Sequence, residues 1–285
     1  MPEPGPRLGI NIDANKLFYA VSNPEQKGSL TRIGSIDFPF DLLSSLAANH
    51  PETLPGISDT IRKLTDEYEV QETRVILPPV FECWSMIPKI VCDDPKECEI
   101  HITILTKDSQ SFNREPHWFP LSNRDFKLLC LRKNQLPETL ASISGENAKT
   151  EILSDFEIGS FWMKHQRYHG SFLCLSSYNG LLSISSFLLG KLRAATYIRY
   201  EDIHDLPYLW LQYASHLPWI EGLHEQVLLY GDHSEKISDT LRAHLDDSTE
   251  VVVMNSLKKM NLKSDEQTYS FPLERAFPAA LICAV

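Results

Sequence analysis

Apolar positions fall in short runs along the chain, and one arrangement of those runs occurs twice. Residues 8 to 12 (LGINI) and 16 to 21 (KLFYAV) are split by the turn-forming Asp13-Ala14-Asn15, which predicts a β-hairpin. Residues 29 to 38 (SLTRIGSIDF) alternate as a third strand. After a polar, proline-bounded stretch, Ile57, Ile61, Leu64 and Tyr68 stand at helical spacing, with Ser58 predicted as the cap. Thr73 to Leu77 (TRVIL) reads as a buried strand stopped by Pro78-Pro79. In the second half, SFLCLS and LLSISSF flank Tyr178-Asn179-Gly180, whose Asn-Gly is a strong hairpin signal. A third strand (Lys191 to Tyr197) follows the Leu189-Gly190 turn, then a helix (Asp202 to Leu217) and a strand (Gln226 to Tyr230). A helix from Ser234 to Leu245 and a strand from Glu250 to Val253 complete this half. Two copies of one strand-strand-strand-helix-strand plan predict a duplicated α/β protein with a cleft between its lobes.

The first lobe is expected over residues 1–150 and the second over 151–285, and between the two copies residues 80–149 are less regular. Within that stretch, Cys83 to Pro88 and Ile100 to Leu105 read as strands, and Lys107 to Asn123 as loop. Phe126 to Leu131 reads as a buried strand, Asn134 to Ser144 as a capped helix, and Glu151 to Leu153 as an extended run before a helix from Asp155 to Gln166.

Composition narrows the function classes. The 285 residues carry 27 Lys plus Arg against 38 Asp plus Glu, a net charge of −11, and are 42% hydrophobic and 23% charged. That is an ordinary globular balance, and an acidic chain without a Lys/Arg run offers nucleic acid or an anionic membrane little to hold. The opening MPEPGPRLGI lacks a basic segment followed by an apolar one, and the longest apolar stretch, Pro278 to Val285, is far below the roughly 20 residues of a membrane helix. A cytoplasmic protein without membrane insertion is expected. The six cysteines form no CxxC pair and read as free thiols, several of them buried.

LGINIDANKLFYAV resembles the first phosphate hairpin of the actin-like ATPase superfamily, HGSFLCLSSYNGLLSISSF its second, and EQVLLYGDHSEKISDTLRAHL the strand-turn-helix that touches adenosine. Within that superfamily the chain is most similar to the PilM-like pilus-assembly proteins. TRVILPPVFECWSMIPK resembles their strand into an inserted subdomain, FKLLCLRKNQLPETL the return, and EILSDFEIGSFWM the crossover into the second lobe. The resemblance runs through nearly the whole chain. It implies an α/β, ribonuclease H-like fold of two duplicated lobes, a small α+β segment inserted in the first at about 80–123, and a last helix (AFPAALICAV) packed back on the first lobe.

The departures from the superfamily carry the functional expectation. Its first hairpin bears Asp-x-Gly, the Asp orienting magnesium-bound water and the Gly admitting phosphate to backbone amides. Here those positions are Asn11, without the charge, and Asp13, a carboxylate aimed at the phosphates and expected to repel them by several kcal/mol, in order of magnitude. In the second hairpin Leu175, Ser176 and Ser177 supply neither Asp nor Gly, and the adenosine turn reads Gly231-Asp232 instead of Gly-Gly. The expectation is therefore a pseudoenzyme, a scaffold or adaptor without cofactor or metal, in a pilus- or secretion-type assembly. It would bind a protein partner, with a homodimer left open. The alternative is a divergent nucleotide-binding ATPase or kinase using Asn11, Asp13, Asn15, Asn179, Gly231 and Asp232.

Other constellations read as structural. Asp232-His233-Ser234 resembles a catalytic group only by adjacency, and Asp and Ser are expected there as helix caps. His165 and His169, at i and i+4, have the spacing for a shared metal, which would suit a hydrolase, but Gly170 ends the helix and no HExxH Glu follows. Cys92 and Cys98 match no zinc spacing. Tyr208, Trp210, Tyr213 and their apolar neighbours read as core, with Trp219 beyond Pro218 expected to be exposed. Phe81, Trp84, Trp118 and Phe119 in the insert, together with Trp219, are the candidate partner-binding residues. In PilM-like proteins the inserted subdomain binds a partner's short peptide, so the resemblance points to the same segment.

Overall fold

The computed structural model describes residues 5–107, 112–113, 115–134, 136, 140, 149–264 and 269–285. The first hairpin, β1 (Arg7–Ile12) and β2 (Lys16–Ser22), is followed by β3 (Ser29–Asp37) and by two helices, α1 (Leu42–Ala48) and α2 (Leu54–Glu67). Strand β4 (Glu72–Leu77) then lies parallel to β1, with Asn11 opposite Ile76. The insert comprises β5 (Glu82–Pro88), α3 (Lys89–Cys92), α4 (Pro95–Thr106), β6 (His117–Pro120) and β7 (Phe126–Arg132). The chain returns in β8 (Lys149–Ser154), parallel to β4. Crossover helix α5 (Ile158–Gln166) leads to β9 (Phe172–Tyr178), β10 (Leu181–Leu188), β11 (Lys191–Arg199), α6 (Leu206–His216), β12 (Gln226–Gly231), α7 (Ser234–Leu241) and β13 (Glu250–Val253). Short α8 (Leu257–Met260), β14 (Lys263–Ser264) and α9 (Leu273–Ala284) end the described chain.

The duplication is explicit in the sheets. The first runs β14-β3-β2-β1-β4-β8 and the second β11-β10-β9-β12-β13. Beyond β14, both place an antiparallel three-strand meander beside two parallel strands in the same order. The turns follow from the residues. Asn179 and Gly180 have φ of 29° and 80°, which a two-residue hairpin with both central residues left-handed requires. The strands next to the cleft are buried on both faces, as parallel layers covered by helices must be.

Helix α9 joins the two halves. It packs on β1 and β2 of the first sheet and also touches β12 of the second, and Phe277 meets Tyr230 edge to face at 5.0 Å. Its residues sit in the largest core cluster with Phe18 of β2 and Phe172 of β9. Gly9 permits this seat, because a Cβ there would collide with the Ala279 carbonyl.

Several sequence expectations are corrected. Residues 100–105 are not a strand: Asp94 accepts from the Lys96 and Glu97 amides and Pro95 starts α4, so the Ile-x-Ile-x-Ile alternation lies on a helix with Ile102 buried and Ile100 and Ile104 exposed. The loop read over 107–123 contains β6, and the small sheet, in order β5-β7-β6, ends with β7 rather than at residue 123. Ser58 is inside α2, which starts at Leu54 behind Thr53 with a proline in its first turn. The polar, proline-bounded stretch before α2 contains helix α1, which Asp41 caps through the Ser44 amide at 2.8 Å. Of the helix expected over Asn134 to Ser144, residues 135, 137–139 and 141–144 lie outside the described residues.

The small sheet is tied to both lobes. Buried Glu82 accepts from Arg132 Nε (3.0 Å), Ser154 Oγ (2.8 Å) and Trp84 Nε1 (2.8 Å), linking β5 and β7 to the end of β8. Trp84 packs edge-on between Phe156 at 4.9 Å and Tyr197 of β11 at 5.3 Å.

Candidate functional site

The two hairpin turns and the start of α9 meet in the cleft. At the β1–β2 turn, Asp13 Oδ1 accepts from the Ala14 amide at 2.7 Å, which fixes the carboxylate and leaves Oδ2 facing the cleft. Both Nε (3.0 Å) and Nη2 of Arg275, in the first turn of α9, donate to that oxygen. The guanidinium lies 5.2 Å over the Phe18 ring, and its Nη1 is 3.9 Å from Asp232 Oδ1, on the second-lobe turn after β12. One cation thus stands between the two acids contributed by opposite lobes, in a place where the Asp13 side chain is 9% exposed.

A neutral network continues behind it. Asn11 Nδ2 donates to the Arg275 carbonyl at 2.9 Å, so the main chain of the same residue is held as well as its guanidinium. Tyr178 Oη is 3.3 Å from Asn11 Oδ1 and 2.8 Å from Asp155 Oδ1, and its single proton serves the nearer acceptor. Ser176 Oγ donates to Asp155 Oδ2 at 2.6 Å, and Tyr230 Oη is 3.5 Å from Oδ1. Burial pushes the Asp155 carboxyl pKa up while these hydroxyl donors pull it back. Ser177 Oγ pairs with Tyr200 Oη at 2.8 Å. Polar groups at the base of both hairpins are thereby engaged with one another.

This donor set does not fit a magnesium nucleotide. Asn11 is uncharged and its amide nitrogen is already bonded to the Arg275 carbonyl, the free oxygen of Asp13 is taken by Arg275, and the second-hairpin serines are spent on Asp155 and Tyr200. Among the described residues no group of three or more His, Cys, Asp or Glu side chains is placed to hold a metal. The electrostatic expectation is also corrected: Asp13 is not a bare carboxylate, because Arg275 matches its charge.

Two sheets of identical strand order, their first hairpins facing each other across a cleft and their last helix bridging it, are a distinctive arrangement. The fold is that of the actin-like ATPases. No protein-family model matches the chain, and no curated protein matches it. Among solved structures, a chain of the PilM–PilN type IV pilus biogenesis complex superposes with a TM-score of 0.62 at 14% identity, covering 98% of this chain and 97% of that one. A Bacteroides thetaiotaomicron protein of actin-like ATPase fold and unknown function gives 0.54 at 16% identity, covering 89% and 92%. An Arthrobacter polyphosphate/ATP-glucomannokinase gives 0.51 at 13% identity, covering 98% of both chains. At such identities the similarity establishes the actin-like fold.

Within the actin-like cleft, the structure brings Asn11, Asp13 and Asp232 around Arg275 but leaves Asn15 exposed at the hairpin tip, where only its carbonyl is used, accepting from the Phe38 amide. Asn179 and Asp232 share a separate hollow of about 550 Å³ with Tyr200, Asp202, His233 and Lys236. Gly231 has φ of 90°, and a Cβ there would run into the Ser177 backbone, so this glycine keeps the second-lobe turn against β9. The capping expectation fails: α7 follows His233 in the left-handed region without a side-chain cap, Ser234 Oγ is buried without a partner, and Asp232 faces Arg275 instead.

The histidine pair also separates. Arg167, at φ of 54°, ends α5 after Gln166, which puts His169 off the helix, while His165 Nε2 lies 3.0 Å from the Asn261 carbonyl. All six cysteines are free, with Cys130, Cys174 and Cys283 buried. Among the partner-binding candidates, Phe81 is fully buried and Trp84 is half-buried, packed against the core through Phe156 and Tyr197. Trp219, expected to be exposed, is 7% exposed because it closes the second-lobe core beside Ile220; Tyr208 and Leu211 are the exposed members of that cluster. Trp118 and Phe119 line an open groove of the small sheet. Arg275, Asp155 and Tyr178 were not singled out in the sequence. Arg275 had one available signal, being the sole basic residue of an otherwise largely apolar terminal helix.

Proposed function

We propose that this protein is an actin-fold scaffold that binds a protein partner and does not turn over nucleotide. The observation that carries the reading is the Arg275 guanidinium held between Asp13 and Asp232. Here the last helix supplies a permanent cation, together with a main-chain carbonyl for Asn11. The reading is supported by the described residues of the cleft, where the side chains that metal charge and phosphate positioning would require are already bonded to one another. PilM, a fold neighbour, occurs with PilN in a type IV pilus biogenesis complex. That analogy of fold supports a partner that is itself a component of a pilus- or secretion-type assembly, and a cytoplasmic location suits such a role. No helix among the described residues is long and apolar enough to cross a membrane.

The rival reading, a divergent kinase or ATPase, is favoured by one observation, the open polar hollow beside Asn179, Asp232 and Lys236. Phosphate release from magnesium-ATP by wild-type protein, compared with Asp232→Ala and Asp13→Ala, separates the two. The scaffold reading expects background release from all three. Turnover by wild type that either substitution abolishes would establish the rival.

A further inference from the structure

Helix α4 is the outer layer of the insert. Side chains alternate along β7: Leu128 and Cys130 join the main core shared by the lobes, while Leu129 and Leu131 pack with Ile102 of α4. The lobes thus cover one face of the small sheet and α4 the other, and the far side of α4 faces solvent. There Ile100 is 53% and Ile104 65% exposed. Among the described residues the exposed isoleucines are these two and Ile90, at 81%, on the adjoining α3. A single exposed aliphatic side chain is ordinary, whereas three on one short helix pair mark an interaction surface.

The charges around the isoleucines decide what fits. Glu97, Ile100, Ile104 and Lys107 follow one another at spacings of three, four and three, so they share one stripe along α4. All four are exposed, and Lys107 keeps helical dihedrals at the C-cap. The stripe has an acid at its N-terminal end, two isoleucines in the middle and a base at its C-terminal end. Turned end for end, it is its own complement.

We propose that α4 is a self-association helix, pairing antiparallel with α4 of a second copy of this chain about a two-fold axis at the level of Ile102. Ile100 then meets the second copy's Ile104, and Glu97 meets its Lys107, each contact occurring twice. A parallel pairing would set acid on acid and base on base and align the helix dipoles, so the charge pattern selects against it. The contact uses the same patch on both copies and closes, which gives dimers and no filament. Because the lobes lie across the small sheet from α4, the interlobe clefts stay clear of the contact. One helix seam buries less than a standard interface, so the dimer is weak, with a Kd of about 10–100 µM. The inference goes beyond the scaffold reading and holds whether or not the cleft takes nucleotide.

Sedimentation equilibrium of the whole protein, taken up to about 500 µM, tests the pairing. Wild type is expected to pass from monomer to dimer over that range. Glu97→Lys sets base against base and Lys107→Glu acid against acid, so each variant alone should dimerise about tenfold more weakly. An equal mixture of the two should recover the dimer, since each supplies the charge the other lacks, and Ile104→Glu should remain monomeric. The replaced residues are exposed, so the variants should melt as wild type does. A wild type that stays monomeric would overturn the proposal, as would a dimer that Ile104→Glu leaves intact. Charge reversals that weaken the dimer without recovery in the mixture would refute the antiparallel register. Failure on any of these counts leaves the scaffold reading to its own test of nucleotide turnover.

Discussion

Replacing Arg275 with Met keeps the aliphatic stem over Phe18 and removes the guanidinium, which isolates the interlobe contact. Three interactions are lost: the two-nitrogen contact to Asp13 Oδ2, the cation over the Phe18 ring and the longer attraction to Asp232. The dominant cost is the carboxylate left behind, since Asp13 is nearly buried and its second oxygen would face the cleft unpaired. Removing one partner of a buried pair costs about 3–5 kcal/mol, and the partial exposure of Arg275 favours the lower end, about 3 kcal/mol. At roughly 2–4 °C per kcal/mol for a chain of this size, the melting midpoint should fall by about 6–12 °C. Asp13→Asn, which leaves a more exposed guanidinium unpaired, should cost about 1.5 kcal/mol. Removing both charges eliminates the orphan, so the double variant should lose about 2 kcal/mol less than the sum of the singles. Denaturant unfolding of the four proteins measures this cycle. Losses below about 0.5 kcal/mol that simply add would refute the view that Arg275 joins the lobes.

Other substitutions test the supporting geometry. Glu157 has its carboxyl pKa raised from 4.5 to about 7, first by burial, so the folded state holds a proton that the unfolded chain releases. Stability should therefore fall as pH rises from about 4.5 to 7, by about 3 kcal/mol, and Glu157→Gln should flatten that slope in urea midpoints taken at pH 5 and 8; parallel curves would contradict it. Gly9→Ala should cost about 1–3 kcal/mol by pushing Ala279 of α9 off the first sheet, with faster amide exchange in α9 as the specific sign. Glu82→Ala strands buried Arg132 and should cost about 3–5 kcal/mol in denaturant unfolding, whereas a loss near zero would mean the small sheet does not depend on this pair.

Elements with local signals were legible in the sequence. The Asn179-Gly180 turn, the prolines after β4 and the alternation in both meanders placed two equivalent sheets, because turn chemistry and side-chain period act over a few residues. The segment from Ile100 to Leu105 was misread because alternate isoleucines satisfy a strand pattern, while the Asp94-Pro95 start that makes it a helix lies just outside the run. Strand β6 has only four residues with half-buried faces and carries little periodic signal. In the cleft, the acids Asp13 and Asp232 were legible from the hairpin positions, but the residue that joins them was not. Arg275 is 262 positions from Asp13 and reaches it only because α9 folds back across both lobes. Asp155 was hidden for a similar reason: its partners Ser176, Tyr178 and Tyr230 come from two later strands, β9 and β12.

Calorimetric titration of magnesium-ATP into the wild-type protein asks whether Arg275 stands where an actin-like protein would take nucleotide. Only heats of dilution are expected up to millimolar ATP, and a saturable isotherm with micromolar affinity would mean that nucleotide enters the cleft despite Arg275.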